Sequence, residues 1–378
     1  MEELSELITE RRRKTRNKIY QYLYTVGDGC TKQAIAADLK LSMPTVYQNL
    51  TELMEAGLVR YAGERQSTGG RRAQGLAIVE DARFAVGISV MEDRVRFAAA
   101  DLRLHELAYK KVPQASVMRK ENPGSFLAQE LELFLNENRM DRKRLLGVGI
   151  ALPAVIDRES KNIVLSPTLQ LRDINLQNLT RYLPYPCHVE NDATSGGYAE
   201  WFARTGGEHN MAYLSLESGV GGAVLVNGDQ YAGDNRRSGE FGHMCVEPGG
   251  LLCKCGKRGC LEAYCSTRRI SEDLGITLED FFTSVEAHAP AYEALWDDVL
   301  QHLAIGVNNV RMALDCDVVL GGFLTQYMEP YLPRLREYLS AKNTFEYSSD
   351  YLHLCKYPKR AVVLGVALPY IKQFLEYI

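Results

Sequence analysis

No stretch of the 378-residue chain approaches the roughly 18–20 consecutive apolar residues a bilayer-spanning helix needs. The first residues have no apolar stretch of the signal-peptide kind either: Met1 to Glu10 is acidic, and Arg11, Arg12, Arg13 and Lys14 follow. Prolines are few, 13 against 31 glycines, and neither recurs with a period, which excludes collagen-like and low-complexity chains. No internal repeat is visible. Without an export signal, the nine cysteines read as reduced thiols and not as a disulfide frame. These absences predict a soluble, cytoplasmic protein with no membrane partner. What remains, 46 % hydrophobic and 24 % charged residues, suffices for a large core divided into two or three domains.

Charge is unevenly spread. Residues 11–75 carry 12 Lys/Arg and 5 Asp/Glu; residues 76–378 carry 32 and 39. A basic segment on an acidic body is the footprint of an attached nucleic-acid-binding module, although Arg11–Lys14 alone would suit a solvated helix face. Helical spacing of Ile19, Leu23 and Val26 stops at Gly27-Asp28-Gly29. Thr31 is placed to cap a short second helix carrying Ala34, Ile35 and Ala36. Ser42 is placed to cap a third, with Pro44 in its first turn and Gly57 at its end. Val46, Leu50, Leu53 and Met54 form the apolar stripe of that third helix, opposite Thr45, Tyr47, Gln48 and Asn49. Two strands, Leu58–Ala62 and Leu76–Val79, then close on a basic tip containing Gly69-Gly70-Arg71-Arg72. Helix pair and wing predict a winged helix-turn-helix: Ser42, Thr45, Gln48 and Asn49 toward base edges, Arg71 and Arg72 toward phosphates or the minor groove. A small helical bundle for protein contacts is the alternative. The run from Leu41 to Arg72 resembles the DNA-binding head of the ROK family (repressors, open reading frames and kinases).

A second signal lies between His243 and Cys260. His243, Cys253, Cys255 and Cys260 can complete a tetrahedral shell with no open position, a structural zinc (Zn2+) site, and Gly256 and Gly259 let the loop turn tightly. Buried free thiols are the alternative; Cys30, Cys187, Cys245, Cys265, Cys316 and Cys355 read as packing residues. Glu240-Phe241-Gly242-His243-Met244 and Cys255-Gly256-Lys257-Arg258-Gly259-Cys260-Leu261-Glu262 are similar to the ROK zinc signature. The family's other landmarks fall in order, so the resemblance covers essentially the whole chain. It implies a two-lobed α/β body of the actin-like, sugar-kinase (ribonuclease H-like) type, with a sugar in the cleft.

Upstream, Val189-Glu190-Asn191-Asp192-Ala193 reads as a strand end entering a helix. By itself an Asn-Asp pair suits a helix cap. The resemblance implies more: Asp192 matches the base of ROK kinases, and Asn191, Glu240, His243 and Glu262 match sugar-binding positions. Ala154 and Thr168 stand where the family commonly has Gly and Asn, near the sugar. The resemblance also marks a degenerate nucleotide site. Where kinases carry Asp-x-Gly-Gly-Thr, this chain has Ser89-Val90-Met91-Glu92-Asp93, and Glu217-Ser218 replaces the Gly-Thr of a second phosphate loop. Gly321-Gly322 marks the adenosine side.

The sequence thus predicts a sugar-responsive transcriptional regulator, most simply a repressor, and not an enzyme. Its expected partners are double-stranded operator DNA, a small sugar effector and further copies of itself as a homodimer or tetramer. Expected domains are 1–80 (DNA-binding), 81–188 plus 361–378 (first lobe) and 189–360 (second lobe, with zinc loop and dimerisation surface). The alternatives are an active ATP-dependent sugar kinase with a regulatory head, or a repressor sensing a phosphosugar or a protein.

Overall fold

The computed structural model describes residues 2–64, 74–114, 116–157, 160–205 and 210–378. Three helices open the chain: α1 (Glu2–Val26), α2 (Lys32–Asp38) and α3 (Met43–Glu55). Thr31 and Ser42 cap α2 and α3 by accepting from the amides of Ala34 and Thr45. Gly57, at φ +69°, ends α3. Ile19, Tyr20, Leu23, Ile35, Val46, Leu50 and Leu53 form their shared core. Val26, expected in the stripe, is exposed because the helix ends there. An antiparallel pair follows, β1 (Val59–Glu64) and β2 (Gln74–Ile78), and Cys30 bridges to Leu76 on its outer side.

The body begins with β3 (Phe84–Val90), β4 (Arg94–Asp101) and β5 (Glu106–Pro113). Tyr109–Pro113, rich in Lys and Pro as a loop would be, belongs to β5, antiparallel to β4. An edge strand has one neighbour only and tolerates Lys110 and Lys111, which blunt the apolar pattern. After α4 (Pro123–Glu137) come β6 (Leu145–Leu152) and a separate three-stranded flap, β7 (Val155–Asp157), β8 (Asn162–Ser166) and β9 (Leu171–Asn175). Past α5 (Gln177–Thr180), β10 (Cys187–Asn191) returns parallel to β6, giving the order β10-β6-β3-β4-β5. The expected lobe boundary at 188 therefore falls inside β10. A second sheet follows α6 (Asp192–Thr205): β11 (Met211–Leu216), β12 (Val220–Val226) and β13 (Asp229–Gln230). Five helices then cover one of its faces: α7 (Leu261–Cys265), α8 (Thr267–Ile270), α9 (Leu278–Glu286), α10 (Pro290–Leu314) and α11 (Leu332–Ser340). With β14 (Asp317–Gly321) and β15 (Leu352–Leu354) the order is β13-β12-β11-β14-β15. The chain ends in α12 (Ala361–Gly365) and α13 (Leu368–Glu376). No helix among the described residues is long and apolar enough to cross a membrane.

Alternation decides what packs where. Phe84, Val86, Ile88 and Val90 face Leu127, Leu131 and Phe134 of α4. The opposite face of the first sheet is small, with Ala85, Gly87, Ala98 and Ala100, and receives α12. A Cβ on Gly87 would meet the Val363 carbonyl at 1.7 Å, and one on Gly149 the Val366 carbonyl at 2.0 Å. On the second sheet Met211, Tyr213 and Val319 face Trp201 of α6. The two inner helices cross so closely that a Cβ on Gly365 would meet the Ser195 carbonyl at 1.7 Å.

The N-terminal helices are not a loosely tethered unit. Tyr24 Oη donates to the Leu102 carbonyl at 2.9 Å, and Arg103 donates to the Tyr24 carbonyl at 2.8 Å while pairing with Glu80 at 2.5 Å. Asn17 and Gln21 of α1 donate their side-chain amides to the Leu375 carbonyl at 3.2 and 2.5 Å, and Asn17 also reaches Glu376. The last carbonyls of α13, which have no partner within their own helix, are thus capped from α1.

Candidate functional site

The carboxyl end of β10 delivers Asn191 and Asp192 to the gap between the sheets. Asn191 is heavily committed: its Oδ1 accepts from the Thr194 amide at 2.9 Å, capping α6, and its Nδ2 donates to the Ala154 carbonyl at 3.1 Å. Asp192 opens α6, where Oδ1 accepts from the Ala193 amide. Burial raises its pKa to about 6, Glu240 adding to the rise while backbone hydrogen bonds oppose it. From the second sheet, Glu240 precedes and His243 ends the short turn Phe241–His243. Gly242 lets that turn lie on β12, since a Cβ there would meet the Val220 carbonyl at 2.0 Å. Glu240 Oε2 is 3.9 Å from His243 Nε2. Glu262 accepts from the Val220 amide at 3.1 Å and faces Cys253 Sγ at 3.6 Å. Asp192, Glu240, His243 and Glu262 are thus brought into one electrostatic neighbourhood beside Asn191. Such a set of polar groups can accept several hydroxyl hydrogens. Ala154, expected near the ligand, adjoins Asn191 through its carbonyl while its methyl packs in the core of the first sheet; Thr168 is exposed.

Beside this set the loop from Cys245 to Cys260 folds back on itself through bridges Cys245–Cys260 and Leu252–Arg258. Gly256 and Gly259 take φ +85° and +82°, and a Cβ on Gly259 would meet the Glu247 carbonyl at 1.9 Å. Cys255 and Cys260 Sγ are 3.7 Å apart, and Cys253 Sγ is 3.9 Å from His243 Nδ1. All four donors lie within 4.8 Å of one another. A tetrahedral ion with metal–sulfur bonds of about 2.3 Å sets its sulfurs about 3.8 Å apart, so the donor set fits a metal. His243 turns Nδ1 to the thiols and Nε2 to Glu240, so one ring serves both sites. Cys245, expected as packing, is exposed.

The exposed face of α3 carries Ser42, Tyr47 and Gln48, with Thr45 half-buried. Asn49, expected among them, is a correction: it is only 6 % exposed and donates to the Thr45 carbonyl at 2.8 Å. It lies on the inner side between Val46 and Leu50, where its amide satisfies the helix's own backbone. Tyr47 was visible in the sequence as part of the polar face and is reinforced by Lys32 Nζ, 4.0 Å from its ring centre. Arg71 and Arg72 lie outside the described residues.

The turn after β3 forms no anion cradle. Met91 donates back to the Arg94 carbonyl, and Glu92 binds Ser116 and Arg119 at 2.9 and 3.0 Å. Glu217, at the end of β11, accepts from the Phe323 amide at 3.0 Å. Arg96 of β4 lies within electrostatic reach of it. Sequence reading missed Arg96, which only the register of β4 turns toward the second sheet.

Comparison with known proteins agrees with this arrangement. The family profile described as "ROK family" matches residues 85–368. The xylose repressor of Bacillus subtilis is 31 % identical over 236 residues, 62 % of this chain and 61 % of that protein. The xylose repressor of Bacillus spizizenii is 27 % identical over 345 residues, 89 % of each chain. The crystal structure of a ROK family transcriptional regulator, a homologue of the Escherichia coli MLC protein, superposes with a TM-score of 0.72 over 96 % of both chains at 19 % identity.

Proposed function

The chain belongs to the ROK family, and we propose that it is a DNA-binding transcriptional repressor of carbohydrate-metabolism genes whose body binds a sugar effector between its two sheets. The body has the two-sheet, actin-like architecture of sugar kinases. The observation that carries the reading is the head: residues ahead of the matched stretch fold into a capped helix pair and hairpin docked on that body. Relatives of nearly full length are named xylose repressors.

In this reading the head is a winged helix-turn-helix of residues 1–80. Ser42, Thr45 and Gln48 of α3 meet base edges, Tyr47 lies beside them, and Arg71 and Arg72 of the wing meet phosphates. The first lobe runs from 81 to the end of β10 and takes back 361–378; the second is 192–360. Zinc is the ion for His243, Cys253, Cys255 and Cys260, which leave no open position, so it serves structure and not chemistry. The thiolates and His243 Nδ1 would hold it, fixing the ring so that Nε2, with Glu240, Asp192, Asn191 and Glu262, is available to sugar hydroxyls. A homodimer, or a pair of dimers, supplies two heads for two half-sites. The sugar regulates DNA binding only if its affinity differs between head arrangements.

Asp192 favours a second reading, an active sugar kinase with a regulatory head, because a carboxyl with a pKa near 6 suits a general base. Thermal melting of zinc-replete protein against hexoses, pentoses, N-acetyl amino sugars, their phosphates and ATP separates the readings, since a ligand of the folded state raises Tm. A shift with one free sugar, lost in Asp192→Ala and accompanied by a change in operator affinity, is expected. A shift with ATP and turnover of sugar would establish the kinase instead. A response to phosphosugars alone, or to no sugar while operator binding persists, would replace the free-sugar effector by a phosphosugar or a protein.

A further inference from the structure

Strands β11 and β14 run parallel and end together, one in the turn Glu217–Gly219 and the other in Gly321–Gly322. Backbone amides at the carboxyl ends of parallel strands are where α/β sheets hold anionic ligands. Both turns are fixed. Glu217 N–H donates to the Gly219 carbonyl at 2.9 Å, and the Glu217 carbonyl accepts from Thr267 at 2.8 Å. Gly322, at φ +85°, packs so tightly on Leu216 that a Cβ would meet its carbonyl at 2.6 Å. The first amide past the glycine pair, that of Phe323, is already taken by Glu217 Oε1 at 3.0 Å. The cation facing the same spot from the other sheet, Arg96, is cross-strand from the buried Ser89 and interacts electrostatically with Glu217.

We propose that Glu217 is a built-in occupant of the phosphate cradle, and the residue that bars nucleotide polyphosphates from this cleft: its carboxyl group takes the Phe323 amide and faces Arg96, the donors a phosphate would need. The inference rests on the non-catalytic reading above. Desolvation raises the Glu217 pKa to about 7, with Arg96 and the Phe323 amide opposing and Asp192 adding to it. Nearby Asp192 adds a further charge against phosphate.

Full-length wild type, Glu217→Gly, Glu217→Ser and the double variant Glu217→Gly/Arg96→Gln are titrated with magnesium ATP by calorimetry. Cooperative melting and operator binding identify the folded variants. Wild type is expected to give no binding heat. Glu217→Gly or Glu217→Ser should bind ATP at least about tenfold more tightly than wild type, and Arg96→Gln should abolish the gain. If the folded single variants bind ATP no better than wild type, the inference falls while the repressor reading stands. Wild-type ATP binding without turnover also overturns the inference alone, whereas wild-type turnover of ATP with a sugar overturns the non-catalytic reading.

Discussion

Gln48 and Asn49 are neighbours in α3 with opposite environments, and the difference divides specificity from stability. Gln48→Ala should weaken cognate DNA binding relative to random DNA by roughly 1–3 kcal/mol. Asn49→Ala removes a buried amide bonded to the Thr45 carbonyl; it should cost the head about 1 kcal/mol and leave base preference unchanged. Operator and random-duplex titrations, paired with urea melts, check both; a loss of discrimination in Asn49→Ala would return that residue to the interface. Asp192 makes a pH prediction. Its folded pKa of about 6 lies above the unfolded value of about 3.9. Its stabilising contribution is therefore complete below about pH 4 and lost as pH rises through 6. Urea midpoints across that range should fall less with rising pH in Asp192→Asn than in wild type. Which residues were legible follows from how local their chemistry is. Thr31 and Ser42 cap what they precede, and four candidate metal donors within 18 residues bring their own turn glycines. Asn49 was misread and Arg96 missed because their surroundings come from helix rotation and strand register.

Among the elements, α12 is the tightest joint. Its backbone lies against Gly87 and Gly149 of the first sheet, and its Gly365 touches Ser195 of α6, the helix that Asp192 begins. Neither contact has room for a methyl, so Gly365→Ala should destabilise the protein by about 3 kcal/mol, measured as a lower urea midpoint at unchanged slope. The metal loop is the other joint. Glu262, two residues past Cys260, holds the amide of Val220, so the loop's shape is passed to β12 and the cleft. Stripping the ion with a chelator should lower Tm and weaken sugar binding together, and Cys255→Ser should do the same while halving or abolishing bound zinc in elemental analysis. A stripped protein with unchanged sugar affinity would separate loop from cleft. The helices of the head were legible from their periodicity and caps. The edge strand β5 was not, because half its residues meet water, and neither was the closeness of α12 to its neighbours, because its smallness matters only against the glycines of distant strands.

At the scale of the whole molecule, the basic head, acidic body and order of motifs were readable, but the docking of α1 on α13 was not, since Asn17 and Leu375 are 358 residues apart. That docking joins head and cleft through α13, α12 and α6. Asn17→Ala with Gln21→Ala should leave operator affinity in the absence of sugar within about twofold while reducing the sugar's effect on it, a coupling of order 1–3 kcal/mol in proteins generally. Titrations of labelled operator with and without the effector check this; an undiminished effect would mean the signal takes another route. The same contact has a temporal side. At about 5–20 residues per second a ribosome finishes the three N-terminal helices roughly 15–65 s before it reaches Leu375. During that interval the nascent chain carries a DNA-binding head whose anchor has not been made, and a product released early keeps such a head for good. If this docking carries the effector's signal, regulation is the last property the polypeptide acquires and the first that premature termination removes.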